Sequence, residues 1–107
     1  MSFESQDHMF WWVVVGSKGG AMRAKMLLLL CERPMNANQI SDALKVNYRT
    51  TTFHLEVLLK NGLVKAEGPK YGLMYFPSPT CIAHVDLLEK VVKQGPSAAS
   101  FRERGSR

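Results

Sequence analysis

The chain has 107 residues, the length of a single domain. Its 46% hydrophobic and 21% charged residues suit a soluble protein with a packed core and exclude a disordered polyelectrolyte. A formal charge of +5 favours an anionic partner only weakly, since Arg102, Arg104 and Arg107 against Glu103 place two of those charges in the last residues.

The apolar runs Met9 to Val15 and Met26 to Cys31 are too short to cross a bilayer, and no basic region with a cleavage site opens the chain. A cytoplasmic protein without a membrane partner is expected. Cys31 and Cys81 stand far apart and each alone, without the close pairing of a metal knuckle. Both are expected as buried free thiols.

Residues 1–8 are polar and are expected to be flexible; the domain is expected over 9–95. Ser5 can cap a helix running through Met9, Phe10, Trp11, Trp12 and Val13 to Val15. The same unbroken apolar run also suits a buried strand, and its periodicity does not separate the two. If helical, it is apolar all round and needs a second surface to pack on, such as another subunit. Gly16 to Gly20 breaks the run. A helix from about Gly20 to Glu32 follows, with Ala24, Leu27, Leu28 and Cys31 on one face and Met26 and Leu30 widening it. Arg23, Lys25 and Glu32 are assigned to its wet side. Arg33-Pro34 ends it, because proline disfavours helix in the residue before it.

Asn36 to Leu63 reads as two helices joined by a tight turn. Asn36 caps the first, with Gln39 completing a capping box, and Ile40, Ala43 and Leu44 form its inner face. Asn47 caps the second, whose inner face is Thr51, Leu55, Leu58 and Leu59, with Val46 as a plug between the two. This is the pattern of a helix-turn-helix, whose second helix enters a major groove. Asn61-Gly62 is a helix C-terminus with Gly62 in the left-handed position. A hairpin is expected next, Leu63 to Glu67 returning as Leu73 to Phe76 around a Gly68–Gly72 turn; after a helix-turn-helix it is a wing. Ser78 and Pro79 then start a last helix through Ile82, Val85, Leu88 and Val92, with Leu87 and Val91 alongside, stopping near Gly95. Its two adjoining apolar stripes point to a subunit contact. Residues 96–107 are small, polar and unpatterned, and are expected to be disordered.

The segments GSKGGAMRAK, ERPMNANQISDAL, NYRTTTFHLEVLLKNGLV and GPKYGLMYF together resemble the ArsR-type winged helix-turn-helix regulators, particularly their compact archaeal branch. The resemblance spans roughly residues 9–77. It is carried by Arg23 after the double glycine, by Pro34 to Gln39 at the entry to the motif, and by Tyr48, Arg49 and Thr50 at the start of the second helix. His54-Leu55 and Tyr71-Gly72 complete it. It implies a mainly α fold with a small β-hairpin wing, dimerising through its N- and C-terminal helices, and therefore helix rather than strand at Phe10 to Val15. It also implies a homodimeric transcription regulator on double-stranded DNA, with two recognition helices about 34 Å apart. Phe10, Trp11, Val14, Val85, Leu88 and Val92 are the expected dimer interface.

Arg49 is the expected base reader, with guanine as its partner, and Thr50, Thr52 and Phe53 make smaller contacts. Asn38, Gln39 and Tyr48 are expected on phosphates near helix N-termini, and Lys65, Lys70 and Tyr71 on the flanking backbone. The chain departs from the family at Lys45, where the turn usually carries glycine and a strained positive φ is expected. It departs also at Thr51, a buried valine in relatives, and at Thr52-Phe53, commonly basic or polar there. The Thr51 hydroxyl is expected to bond back to its own helix. Phe53 can meet thymine methyl groups or, paired with Val57, a protein partner, which makes a protein-interaction module the second reading. The family's metal sensors carry a cysteine motif in the first helix of the motif; Gln39 to Leu44 has none, and His84 and Asp86 alone are poor ligands. No metal or other cofactor is expected. His54 is expected as a packing histidine. An enzyme finds no support: Gly16 to Gly20 lacks phosphate-loop spacing, and no acidic pair or activated nucleophile is legible.

Overall fold

The computed structural model describes residues 10–94. The expected Ser5 cap, the flexible start over 1–8 and the disordered tail over 96–107 lie outside the described residues. The order is a π-helical segment Trp12–Gly16, then α1 Gly20–Glu32, α2 Ala37–Leu44, α3 Tyr48–Lys60, β1 Val64–Glu67, β2 Met74–Pro77, α4 Pro79–Ala83 and α5 Val85–Gln94. The ambiguous apolar run is thus helical, with Phe10 and Trp11 leading into the wider π turns. Val13, Val14 and Val15 are all buried there, so one short element uses more than one face. No described helix is long and apolar enough to cross a membrane.

α1 is the central helix. It packs against α5, the π segment, β2, α2 and α3. Ala24, Met26, Leu27 and Leu30 are buried on it, with Leu28 and Cys31 only half-buried. Arg23 corrects the sequence reading: it is 4% exposed, inside the protein rather than on the wet side. The double glycine before α1 has a steric reason. A Cβ on Gly20 would lie 2.6 Å from the Val14 carbonyl oxygen, and Gly19 stands at φ +87° with its would-be Cβ 2.9 Å from the His54 ring. Only glycine lets three segments approach this closely.

The helix-turn-helix forms by the local signals expected of it. The Asn36 side chain accepts from the Gln39 N–H at 2.8 Å, and Gln39 Oε1 accepts from the Asn36 N–H at 2.9 Å. Asn47 Oδ1 accepts from the Thr50 N–H at 2.8 Å. Caps of this kind contribute about 1 kcal/mol each. Lys45 takes the glycine role in the turn, with φ 57°. The inner face of α2 is Ala37, Ile40 and Ser41. Ala43, assigned there from spacing, is exposed, and Leu44 is half-buried. On α3 the buried residues are Thr51, His54, Leu55 and Leu58, whereas Leu59 is 37% exposed. The Thr51 hydroxyl is 2.9 Å from that of Ser41, so it ties the two helices together instead of bonding back along its own.

α3 ends in a Schellman turn. The Leu63 N–H reaches the Leu58 carbonyl at 2.9 Å and the Gly62 N–H reaches Leu59 at 3.1 Å, with Gly62 at φ 70°. The wing strands are antiparallel, Val64 opposite Pro77 through Glu67 opposite Met74. A bridge from Met35 to Tyr75 adds the α1–α2 linker to the wing, the Tyr75 N–H bonding the Met35 carbonyl at 2.8 Å. Ser78 caps α4 as expected. The single last helix of the sequence reading is instead two, broken at His84, whose ring lies 4.7 Å from that of Phe10 and whose Nδ1 is 2.8 Å from the Thr80 carbonyl. Leu88 and Val91 of α5 are fully buried against the core. Cys81 is buried and Cys31 half-buried, both free; burial pushes the Cys81 thiol up to about 11.

Candidate nucleic-acid interface

α3 presents a polar-buried side and an open side. Arg49 is exposed, and among the described residues neither it nor Lys70 takes part in an ion pair. Tyr48 and Phe53 are 55% and 58% exposed. Thr50 and Thr52 are half-exposed, and Thr52 donates its hydroxyl proton to the Arg49 carbonyl at 3.0 Å. Phe53 sets its ring edge-on to His54, centroids 5.2 Å apart. Val57 is half-buried and packs on the core, so it does not form an exposed pair with Phe53.

Beside this helix a cleft of about 250 Å³ gathers residues from three elements, among them Asn38 from the start of α2, Tyr48 from the start of α3, and Lys70 and Tyr71 from the wing. Asn36 and Tyr75 also line it and were not among the residues singled out from sequence. The signal for Asn36 was present but was absorbed by its capping role; Tyr75 needed the strand pairing and the Met35 bridge. The Lys70 ammonium lies 5.9 Å from the Tyr71 ring centre. The open N-terminal N–H groups of α2 and α3 and a lysine make this wall of the site suited to an anion. Gln39 is exposed but holds the capping box with its oxygen, which leaves its amide N–H₂ available. Lys65 is not gathered into the cleft. Its Nζ is 3.1 Å from Glu67 on the same strand, so an exposed carboxylate competes for its charge.

Behind the open face lies a cluster the sequence reading missed. Arg23 donates from Nε to the Val13 carbonyl at 3.1 Å and from Nη2 to the Ser17 hydroxyl at 2.6 Å and the Lys18 carbonyl at 3.0 Å. Its Nη1 lies 3.0 Å from His54 Nδ1. A guanidinium can only donate, so His54 is neutral with its proton on Nε2. Burial, then the Arg23 charge, holds the His54 pKa below its ordinary value. His54 is thus a packing histidine, as expected, with a defined hydrogen-bond role. α3 is pinned through it to the N-terminal segment.

Of the expected dimer residues, Phe10, Val14 and Leu88 are fully buried inside their own chain. Their side chains are consumed by the protomer core. Val85 and Val92 are half-buried and Trp11 is 39% exposed, while Trp12 and Ile82, not assigned from sequence, are largely exposed. Among the described residues no three His, Cys, Asp or Glu side chains cluster as metal ligands would.

These features define a winged helix-turn-helix. Residues 22–66 match the family model described as bacterial regulatory protein, arsR family. No curated protein matches the chain. Among solved structures, HlyU from Vibrio cholerae is 20% identical with a TM-score of 0.66, covering 88% of this chain and 100% of its own. The homodimeric winged helix-turn-helix DNA-binding domain of Mb0332 from Mycobacterium bovis, a possible ArsR-family regulator, is 23% identical with a TM-score of 0.59, covering 85% and 81%. A mutant MarR from E. coli, complexed with operator DNA, is 16% identical with a TM-score of 0.61, covering 94% and 75%. At these identities the likeness is one of fold.

Proposed function

We propose that the protein is a homodimeric, ArsR-type transcriptional regulator that binds double-stranded DNA. In this reading α3 enters the major groove and the wing lies on the flanking backbone. The observation that carries it is the convergence of Asn38, Tyr48, Lys70 and Tyr71 on one cleft, beside an α3 face on which Arg49 is exposed and, among the described residues, outside any ion pair. A base-reading side chain thereby stands next to a phosphate-holding wall, the division of labour that sequence-specific binding needs. The match to the arsR-family model over residues 22–66 supports the same reading, as do the DNA-bound state of MarR and the homodimeric state of Mb0332.

The partner copy is assigned to the exposed apolar side chains Trp11 and Trp12 of the first helical segment and Ile82 of α4. Such a protein works in the cytoplasm, on the chromosome. Selection from random duplexes at two salt concentrations tests the reading, with sizing of the free protein alongside. The expected result is recovery of a symmetric site, affinity falling steeply with salt as counterions are released, and a dimer. Failure to retain any duplex at low salt overturns it.

A further inference from the structure

The contact between Arg23 and His54 joins the segment assigned to the partner copy with the helix assigned to the major groove. Arg23 Nε holds the Val13 carbonyl at 3.1 Å, just after the exposed Trp11 and Trp12, and Nη1 reaches His54 Nδ1 at 3.0 Å. A guanidinium has only protons to offer, so this bond lasts only while Nδ1 keeps a free lone pair. A neutral imidazole always has one such nitrogen, whichever tautomer it adopts. An imidazolium has none, and turning the ring over cannot restore one.

Protonated His54 has little room to retreat. A Cβ on Gly19 would lie 2.9 Å from its Cε1, so the glycine turn lies directly against the ring, and Phe53 stands edge-on at 5.2 Å. Two cations this close repel, and among the described residues no carboxylate pairs with the ring to offset it. α3 packs against α1, α2 and β1. Apart from Arg23, the charged side chains Lys25 and Glu32 of α1 and Asp42 of α2 are exposed, and Lys65 and Glu67 of β1 pair with each other at 3.1 Å. Lys18 and Lys45 in the flanking turns are exposed, as are Arg49, Glu56 and Lys60 on α3 itself. A second charge is therefore accommodated by separating α3 from the glycine turn, and with it from the π segment. Two half-sites are read together only while both reading helices keep a fixed separation.

Resting on the proposed DNA-binding dimer, we infer that the proton is a negative effector of this protein: its uptake at Nδ1 of His54 breaks the tie between α3 and the N-terminal segment and lowers affinity for a symmetric duplex.

Burial, then the Arg23 charge, moves the onset below the ordinary histidine range, so the tie is intact at neutral pH and opens in acid. The sign is diagnostic. Added positive charge by itself strengthens binding to a polyanion, so a fall in affinity requires a structural change.

The test measures affinity of the full chain for the duplex recovered by selection, and for a single half-site, from about pH 8 to about pH 5 at constant ionic strength. Ring-nitrogen NMR of the same chain follows His54, and far-UV circular dichroism follows the fold. Affinity for the symmetric duplex is expected to fall by about fivefold or more along the His54 titration, with the half-site affected less and helicity retained. His54→Asn, which presents an acceptor with no proton to gain, is expected to abolish the fall. If that variant does not fold, agreement between the NMR and affinity midpoints of the unsubstituted chain decides. Affinity that stays level or rises across the range overturns the inference and leaves the regulator reading in place. Equal losses on the two duplexes overturn it as well. So does a fall that persists in His54→Asn or coincides with loss of helicity, since the proton then acts elsewhere or unfolds the chain. Recovery of no duplex even near neutral pH removes both this inference and the reading on which it rests.

Discussion

Arg23 Nη1 lies 3.0 Å from Nδ1 of His54, and among the described residues no carboxylate takes part in the arrangement. A nearly buried cation is held by two carbonyls, a hydroxyl and a neutral imidazole. Burying a charge is tolerable only when it is this fully hydrogen-bonded. The contact joins three parts of the chain: the π segment through Val13, the glycine turn through Ser17 and Lys18, and α3 through His54.

A pH dependence follows from the His54 partner. Its pKa is held below the ordinary value near 6.5, first by burial and then by the Arg23 charge. The unfolded chain therefore takes up the proton before the folded one does, and stability falls with falling pH. Full stability from this contact is expected above about pH 6.5. It declines as pH drops from there through the lowered folded value. Urea midpoints measured between about pH 8 and 5 should show the decline. His54→Asn, which keeps an acceptor near the Nδ1 position without a proton to gain, should flatten the decline.

Replacing Arg23 by Met should cost roughly 2–4 kcal/mol, because it leaves the buried acceptors on Val13 and His54 unsatisfied. Arg23→Lys should recover only part of this, since one ammonium cannot span the fork that the guanidinium fills. Denaturant unfolding of the two variants checks both the size and the order.

Gly20→Ala should destabilise by about 1–3 kcal/mol. The added Cβ would lie 2.6 Å from the backbone oxygen of Val14, and a backbone cannot move aside as a side-chain end can. The readout is the thermal midpoint, with a fall of several degrees expected.

Lys45→Gly is expected to act in the opposite direction. Lys45 sits at φ 57°, a left-handed conformation that costs a residue with a Cβ about 1 kcal/mol. Glycine there should raise the urea midpoint without altering the slope. A lower midpoint would show that the packing of the lysine stem contributes more than its backbone conformation costs.

The two kinds of contact on the proposed interface should separate in binding. Arg49→Ala is expected to cost roughly 1–3 kcal/mol on the selected site and to relax one position of it. Lys70→Ala should weaken binding to every duplex and lower the salt slope by about one. Lys65→Ala should do less, because Glu67 already engages that ammonium at 3.1 Å. Titrations of specific and random duplex at several salt concentrations distinguish these patterns, and equal losses on both duplexes for Arg49→Ala and Lys70→Ala would contradict the division.

Most of the local architecture was legible because it is written in local chemistry. The capping box of Asn36 and Gln39, the Asn47 cap, the left-handed Gly62 and Lys45, the Ser78-Pro79 start and the hairpin all depend on residues a few positions apart. The errors came where distance along the chain was large. Periodicity put Arg23 in water and Ala43 and Leu59 inside, because it reports how a helix alternates and not what stands opposite each face. The last helix read as continuous since nothing beside His84 announces a break; at the break the imidazole lies in tilted contact with Phe10, far away in sequence.

The candidate site divides in the same way. Arg49, Tyr48, Lys70 and Tyr71 could be named from their places in a helix-turn-helix with a wing. The meeting of Tyr48, Lys70 and Tyr71 on one cleft, beside Arg49, depended on the Met35–Tyr75 bridge that seats the wing beside α2.

The amino-acid order by itself determined the helix-turn-helix and hairpin boundaries between about Gly20 and Ser78, because caps, glycine turns and alternation are short-range forces. Tertiary structure alone decided which polar groups could be buried, since that requires partners brought from distant segments. Arg23 and His54 are the clearest case: each is ordinary in its own helix, and only the packed chain makes a neutral imidazole the answer to a buried guanidinium.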